Sequence, residues 1–336
     1  MANKIFIIAE IGQAHEGSLG ILHSYIDAVA TTGVDAIKFQ THIAAAESSA
    51  FEPFRVKFSY ADKTRFDYWQ RMEFTFEQWQ GIKEHCEHVG LEFMSSPFSN
   101  AAVDLLEKLD VKRYKVGSGE VTNFLILEKI AKTGKPIILS SGMSSFKELD
   151  EAIHFLTSFG NEISVLQCTT SYPTPPEKLG LNLIGELKQR YPHLKIGLSE
   201  HTGKPYACLA ATALGAEILE FHATFDRRLF GPDTTSSLTI DEISFLVKGV
   251  RELETALSQP ANKNDNSAYT DLKKIFEKSL AINKDLSKGH IISFDDLEAK
   301  KPAGYGISAT NFRDTIGKKL TRDKKMYSFL ETEDLE

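Results

Sequence analysis

Apolar and polar positions along the chain follow two alternating rhythms. Eight short runs, at 5–12, 36–40, 92–95, 113–116, 136–140, 164–168, 195–198 and 217–222, are β-branched or almost continuously apolar. That is the pattern of strands buried on both faces. Between them apolar residues recur at three- and four-residue steps, as at Leu22, Ile26, Val29 and Ala30, or Val103, Leu105, Leu106 and Leu109. Such spacing lines one face of a helix. Segments 146–159 and 240–257 read as further helices. Eight strands alternating with helices over about 255 residues predict an α/β fold of the (β/α)8 TIM-barrel type. A doubly wound parallel sheet has the same rhythm and is the alternative. Segment 41–68 is long for a strand-to-helix loop and rich in Phe, Lys and Arg, which predicts a functional lid.

After the last long helical pattern the texture changes. Residues 259–269 are polar, contain Pro260 and lack apolar periodicity; they read as a linker. Beyond it, Leu280-Ala281-Ile282 and Ile291-Ile292 are short apolar runs set among glycine turns. The expected organisation is a barrel over 1–258 and a small β-rich domain over 270–336. Composition then narrows the class. The 336 residues are 42% hydrophobic and 25% charged, as in ordinary soluble domains. No apolar run approaches the ~18 residues of a membrane span. The N-terminus lacks the features of a secretory signal. Cys86, Cys168 and Cys208 have no CxxC spacing and read as reduced thiols, which predicts a cytoplasmic protein without a membrane partner. The net charge of −7 argues against nucleic acid as a partner. The acid excess sits before residue 270, with 34 acidic against 26 basic side chains. A few local lysines can still hold an anion there.

In a barrel of this kind, polar residues at the C-terminal strand ends face the active site. The chain offers one or more at every predicted end. They begin with Glu10, then Lys38 and Gln40, then Ser95, Ser96 and Ser99. Lys115 precedes Gly117-Ser118-Gly119-Glu120, and Ser140 and Ser141 follow on the fifth strand. Gln167, Thr169, Thr170 and Tyr172 follow the sixth, Ser199, Glu200 and His201 the seventh, and Glu220 and His222 the eighth, with Asp233 beyond. This is more regular than a purely structural barrel requires. Lys38, Lys115, Ser96 and Ser118 could converge on a phosphate or carboxylate ligand, and the Gly-Ser-Gly backbone permits close N–H approach. The structural alternative is a pair of ion-paired lysines, yet a lysine inside a central strand is costly to bury. His201 and His222 stand on adjacent strand ends, with Glu10 and Glu220 near in register. Such donors suit Mn²⁺, Zn²⁺ or Fe²⁺, or else are satisfied structural histidines. His15 and Glu16 could start a helix. Cys168 is expected to be buried and inert.

Taken in order, these motifs resemble the sialic (nonulosonic) acid synthase family. The resemblance runs through Ile8-Ala9-Glu10-Ile11-Gly12, Lys38-Phe39-Gln40-Thr41, Ser95-Ser96-Pro97-Phe98 and Tyr114-Lys115-Val116-Gly117-Ser118-Gly119-Glu120. It continues through Leu139-Ser140-Ser141-Gly142-Met143, Tyr172-Pro173-Thr174-Pro175 and Gly197-Leu198-Ser199-Glu200-His201-Thr202, to Gly231-Pro232-Asp233. The tail is similar to an antifreeze-like (SAF) domain. The resemblance implies a transferase that condenses phosphoenolpyruvate with N-acetylmannosamine or a related N-acetylated hexose. Lys38, Ser96, Lys115, Ser118, Thr170 and Ser199 would hold phosphoenolpyruvate. Gln40, Tyr172, Asp233 and Lys301 would face the sugar, His201 and His222 would bind a divalent metal (Mn²⁺, with Mg²⁺ or Co²⁺ as substitutes), and Glu10, Glu220 and Lys115 would be catalytic. It also implies a domain-swapped homodimer.

The chain departs from the family pattern at several points. Ala14 stands where the family has Asn, Glu200-His201 where it has Asp-His, and Glu220-Phe221-His222 where it has Glu-Lys-His. An Asn near Thr170 is absent, and Lys301 stands near the place of an arginine in the tail domain. Because alternate strand residues point to opposite faces, Phe221 is expected to face the helices. The departures leave N-acetylmannosamine, its 6-phosphate, mannose and diacetamido hexoses open as acceptors. The alternatives are another phosphoenolpyruvate-dependent 3-deoxy-ulosonate synthase, a catalytically idle sugar-binding protein on the same fold, and a metal-dependent lyase.

Overall fold

The computed structural model describes residues 4–336 except Lys57. Strands β1 (Phe6–Gly12), β2 (Ala36–Thr41), β3 (Glu92–Pro97), β4 (Tyr114–Val116), β5 (Ile137–Ser140), β6 (Ile163–Cys168), β7 (Lys195–Glu200) and β8 (Ile218–Thr224) are parallel and lie in the order β3-β2-β1-β8-β7-β6-β5-β4. The first strand therefore pairs with the eighth, and every neighbour in sequence is a neighbour in space. β3 and β4 lie side by side without a ladder, so the barrel is near-closed. This order selects the barrel over the doubly wound sheet. Around it run α1 (Leu19–Ala30), α2 (Ala44–Glu47), α3 (Arg65–Met72), α4 (Phe76–His88), α5 (Asn100–Lys108), α6 (Phe124–Ala131), α7 (Phe146–Ser158), α8 (Asn182–Arg190), α9 (Tyr206–Ala213) and α10 (Ile240–Ser258). Capping boxes start α3, α4, α7 and α10, as at Ser145 with Glu148. Each box satisfies backbone donors that a helix start leaves open.

Strand parity builds the interior in layers. Ile8, Ala36, Met94, Ile138, Leu166 and Ile218 fill the barrel floor as one apolar cluster. Gly197 completes that layer: a Cβ there would stand 2.2 Å from the Ile218 carbonyl oxygen and 2.7 Å from Leu166. The opposite parity, with Ile7, Ala9, Ile37, Phe39, Leu198 and Phe221, packs between strands and helices. Phe221 therefore lies where alternation puts it. Two residues beyond each floor position, on the same inward face, come Glu10, Lys38, Ser96, Ser140, Cys168, Ser199 and Glu220. Polar side chains thus sit directly above an apolar plug.

Two regions differ from the sequence reading. Segment 41–68 is not a plain loop, because α2 and the start of α3 lie within it. Its aromatic residues form a small core of their own, Tyr68 and Trp69 with Phe54, Phe58 and Phe66. The chain divides into two compact units, Met1–Gln259 and Pro260–Glu336. The second unit opens with α11 (Thr270–Phe276) and holds one antiparallel pair, β9 (Ser279–Ile282) with β10 (Leu297–Lys300). Its strand content is below expectation. Gly289, Gly304, Gly306 and Gly317 all adopt positive φ and turn the chain before ladders extend. Leu280, Ile282, Leu286, Ile292, Leu320 and Leu330 give it a separate core. Among the described residues no helix is long and apolar enough to cross a membrane, and all three cysteines are free and buried.

Candidate active site

A cavity of about 390 Å³ opens at the C-terminal strand ends. Its floor is a layer of buried ions. Lys38 Nζ lies 2.6 Å from Glu10 Oε1 and 3.7 Å from Glu220 Oε2. Lys115 Nζ lies 3.3 Å from Glu220 Oε1 and donates to Ser140 Oγ at 2.7 Å. Ser96 accepts from Lys38 at 3.3 Å, and Ser199 donates to Glu220 Oε1 at 2.9 Å. All four charged groups are at most 3% exposed. Burial pushes the Glu10 carboxyl up, but the Lys38, His222 and Lys115 charges outweigh it and hold the group well below the ordinary carboxylate range. Burial likewise lowers Lys38, and Glu10 and Glu220 more than restore it. Both are therefore ionised at neutral pH. Glu220 Oε2 is buried without a hydrogen-bond partner. Two desolvated lysines among the hydroxyls of Ser96, Ser140 and Ser199 are a set of donors that can cradle an anion.

Above this layer stand the two imidazoles, with ring centres 5.4 Å apart. His201 Nδ1 is 3.3 Å from the Thr169 carbonyl. A carbonyl only accepts, so Nδ1 carries the proton and Nε2 keeps its lone pair. Burial lowers the His201 pKa to about 3 and keeps the ring neutral. His222 Nε2 and Glu10 Oε2 face each other at 3.4 Å. Two imidazoles, one of them held neutral, are donors whose chemistry suits a borderline divalent cation. Among the described residues no group of three or more His, Cys, Asp or Glu side chains is placed to hold a metal ion. A metal here would keep most coordination positions for other ligands.

Gly142 shapes the wall beside the cradle. A Cβ there would lie 2.5 Å from Thr170 Oγ1 and 2.6 Å from Ser118 Oγ. Only a glycine lets both hydroxyls approach that backbone. Gly142→Ala is expected to cost about 1–3 kcal/mol through overpacking, read as a lower thermal midpoint with the fold retained.

The cavity brings together Glu10, Lys38, Gln40, Ser96, Lys115, Ser118, Thr170, Tyr172, Ser199, His201, Glu220, His222 and Asp233. Gln40 donates to Glu10 Oε1 at 2.7 Å, and the Tyr172 ring lies 4.4 Å from that of His201. Lys301 belongs to the second unit, where its ammonium lies over the Phe276 ring at 4.8 Å. Glu200 has the outward strand parity and does not line the cavity, so the Asp-to-Glu departure leaves the pocket wall unchanged. Cys168 is buried, and its thiol is pushed up by burial, as expected of an inert group. His15 is buried against Phe74 and its Nδ1 accepts from the Gly17 N–H at 3.0 Å; it supports the turn. The sequence reading did not name Gln13, Glu47, Glu52, Arg55, Arg65 and Trp69 as site residues, yet they also line the cavity. The length and cationic–aromatic texture of segment 41–68 pointed to Glu47, Glu52, Arg55 and Arg65; nothing in the sequence singled out Gln13 or Trp69. His42 is sandwiched between Trp69 and Phe98.

A near-closed barrel with buried lysine–carboxylate pairs and paired imidazoles at its C-terminal mouth has the build of a barrel enzyme. Comparisons with known proteins narrow the class. The chain is 35% identical over 328 residues to the N,N'-diacetyllegionaminic acid synthase of Campylobacter jejuni, covering 96% of this chain and 97% of that protein. It is 33% identical over 318 residues to the human N-acetylneuraminate-9-phosphate synthase, covering 94% and 88%. A crystal structure of the N-acetylneuraminic acid (sialic acid) synthetase of Leptospira borgpetersenii, in complex with citrate, superposes with a TM-score of 0.71 at 28% identity, covering 81% and 91%. Residues 25–262 match the NeuB family. The chain belongs to that family.

Proposed function

We propose that this chain is a nonulosonic acid synthase, condensing phosphoenolpyruvate with an N-acetylated hexose and releasing inorganic phosphate by C–O cleavage. The observation that carries the reading is the joint burial of Lys38 and Lys115 beside His201 and His222 in one cavity. Phosphoenolpyruvate bears up to three negative charges. The two ammonium groups and the hydroxyls of Ser96, Ser118, Thr170 and Ser199 hold it by charge-assisted hydrogen bonds. Its arrival gives each lysine a second anionic partner besides Glu10 or Glu220. Carbon 3 attacks the aldehyde carbon of the open-chain sugar. Water adds its hydroxyl to carbon 2, and its other proton ends on the former carbonyl oxygen. As the bond from carbon 2 to the phosphate oxygen breaks, the carbon 2 hydroxyl gives its proton to the departing phosphate and becomes the 2-keto oxygen. Glu10 or Glu220 is the carrier for the transfer to the former carbonyl oxygen. A divalent metal, Mn²⁺ with Mg²⁺ or Co²⁺ as substitutes, would be held by His201 and His222 and would polarise the sugar carbonyl. Gln40, Tyr172 and Asp233 position the sugar.

The second unit is proposed to be an SAF domain that caps a partner's barrel in a domain-swapped homodimer, with Lys301 reaching the sugar. Lysine lacks the bidentate fork of arginine. A cytoplasmic location completes the reading. With phosphoenolpyruvate, Mn²⁺ and a panel of N-acetylmannosamine, its 6-phosphate, mannose and diacetamido hexoses, at least one acceptor is expected to release phosphate above background. Silence across the panel overturns the synthase reading.

A further inference from the structure

The outer half of the cavity adds, beside Glu120, Tyr172 and Asp233, residues that no motif names. The segment between β2 and α3 brings Glu47, Glu52 and Arg55 to the mouth, and α3 adds Arg65. Arg55 donates to Asp233 Oδ1 at 2.7 Å, across 178 positions of chain. Its guanidinium lies 4.3 Å from the centre of the Tyr172 ring. That ring stands against His201. The Arg55–Asp233 pair is therefore the roof over the imidazoles, placed where an acceptor must sit.

The two halves differ in charge balance. In the floor, Lys38 and Lys115 stand against Glu10 and Glu220, two cations for two carboxylates, among hydroxyls. In the outer half, Arg55 faces Asp233 and Arg65 lies 3.4 Å from Glu52. Two further acids remain. Glu47 contacts His42 Nδ1 at 2.6 Å, and Glu120 accepts from the Asn123 amide at 2.7 Å. The lining there holds four carboxyl groups against two guanidiniums. Burial above all, with a smaller part from the Glu47 charge, pushes the Glu120 carboxyl up against the Asn123 hydrogen bond.

We propose that the outer half selects an acceptor without a phosphate group, an uncharged polyhydroxylated N-acyl sugar, and that the Arg55–Asp233 pair is the specificity-determining element. The proposal rests on the synthase reading. A phosphomonoester brings a charge of about −1.5 to −2 at pH 7. In the outer half it would meet four carboxyl groups against two guanidiniums, and would compete with Asp233 and Glu52 for those cations beside Glu47 and Glu120. A sugar hydroxyl needs only one donor and one acceptor. The remaining Arg55 N–H groups and the second Asp233 oxygen provide them without breaking the pair.

The test compares N-acetylmannosamine and mannose with their 6-phosphates in phosphoenolpyruvate-dependent phosphate release, beside the uncharged diacetamido hexoses. The expected result is a kcat/KM for unphosphorylated acceptors at least about tenfold above that for the phosphates. Arg55→Ala is expected to raise the sugar KM about tenfold while the phosphoenolpyruvate KM stays constant. Asp233→Asn, which frees the guanidinium, is expected to shift the preference toward the phosphorylated acceptor. Equal or better use of a 6-phosphate by the unaltered protein overturns this inference and leaves the synthase reading standing. Silence with every acceptor overturns both. An unchanged preference in Asp233→Asn removes the ion pair from the specificity.

Discussion

Replacing Lys38 with Met is expected to lower kcat/KM for phosphoenolpyruvate by about 10²–10³-fold, the usual loss when one preorganised charged donor is removed. It is also expected to destabilise the fold. Lys38 stands between Glu10 and Glu220, and breaking a buried pair by removing one partner costs about 3–5 kcal/mol. The pH dependence separates this loss from a generic packing defect. In the unaltered protein the Glu10 carboxyl lies below its ordinary value of 4.5. Its contribution to stability is present above about pH 4.5 and lost as pH falls toward the folded value. Without Lys38 the largest remaining influence on Glu10 is burial, which favours the neutral form. The difference in stability between the two proteins should therefore shrink as pH falls from 7 to 4. Chemical denaturation at both pH values reads this directly. A Lys38→Met protein with unaltered stability at pH 7, or with unaltered kinetics for phosphoenolpyruvate, contradicts the role given to the lysine.

The barrel was legible in the sequence because each strand carries its own instruction. A run such as Ile5 to Glu10 is apolar on both parities until its C-terminal end, where the inward parity turns polar. The same change occurs from Ala36 to Lys38, from Met94 to Ser96 and from Ile218 to Glu220. A floor of apolar side chains beneath a polar layer follows from that one-dimensional pattern. Phe221 shows how far parity reaches: its outward position follows from alternation alone, and it packs in the strand–helix layer.

The mouth of the site was not legible in the same way. Arg55 and Asp233 belong to two different strand-end segments, and no periodicity links them. Their meeting depends on the path of the backbone between β2 and α3, which the aromatic cluster of Phe54, Phe58, Tyr68 and Trp69 fixes. The texture of that segment predicted a lid, but not which side chains it delivers. The pairing within the second unit was hard to read for a related reason. Short apolar runs between glycines resemble strands locally. Whether they pair depends on partners distant in sequence, and here most meet as single bridges or turns.

His201→Ala is expected to produce the other large effect, through the metal and not through the fold. Burial keeps the ring neutral, with its pKa near 3, so truncation removes a neutral donor and leaves no unpaired charge. The Thr169 carbonyl holds Nδ1–H and frees Nε2 for a ligand. A metal polarising a carbonyl supplies several kcal/mol of transition-state stabilisation. At 1.36 kcal/mol per tenfold, its loss corresponds to a fall in kcat on the order of 10²–10⁴. Titration calorimetry with Mn²⁺ alone should show weakened binding in the variant, and thermal unfolding should show a modest change. Treatment of the unaltered protein with a chelator should reproduce the kinetic defect, and restored Mn²⁺ should reverse it. The chelated protein and the variant should then have similar residual rates, because both retain the anion cradle formed by Lys38, Lys115 and the strand-end hydroxyls. A variant with full activity and undiminished Mn²⁺ binding would remove His201 from the metal site. That outcome would assign the imidazole pair to packing against Tyr172, whose ring lies 4.4 Å from one and 6.2 Å from the other.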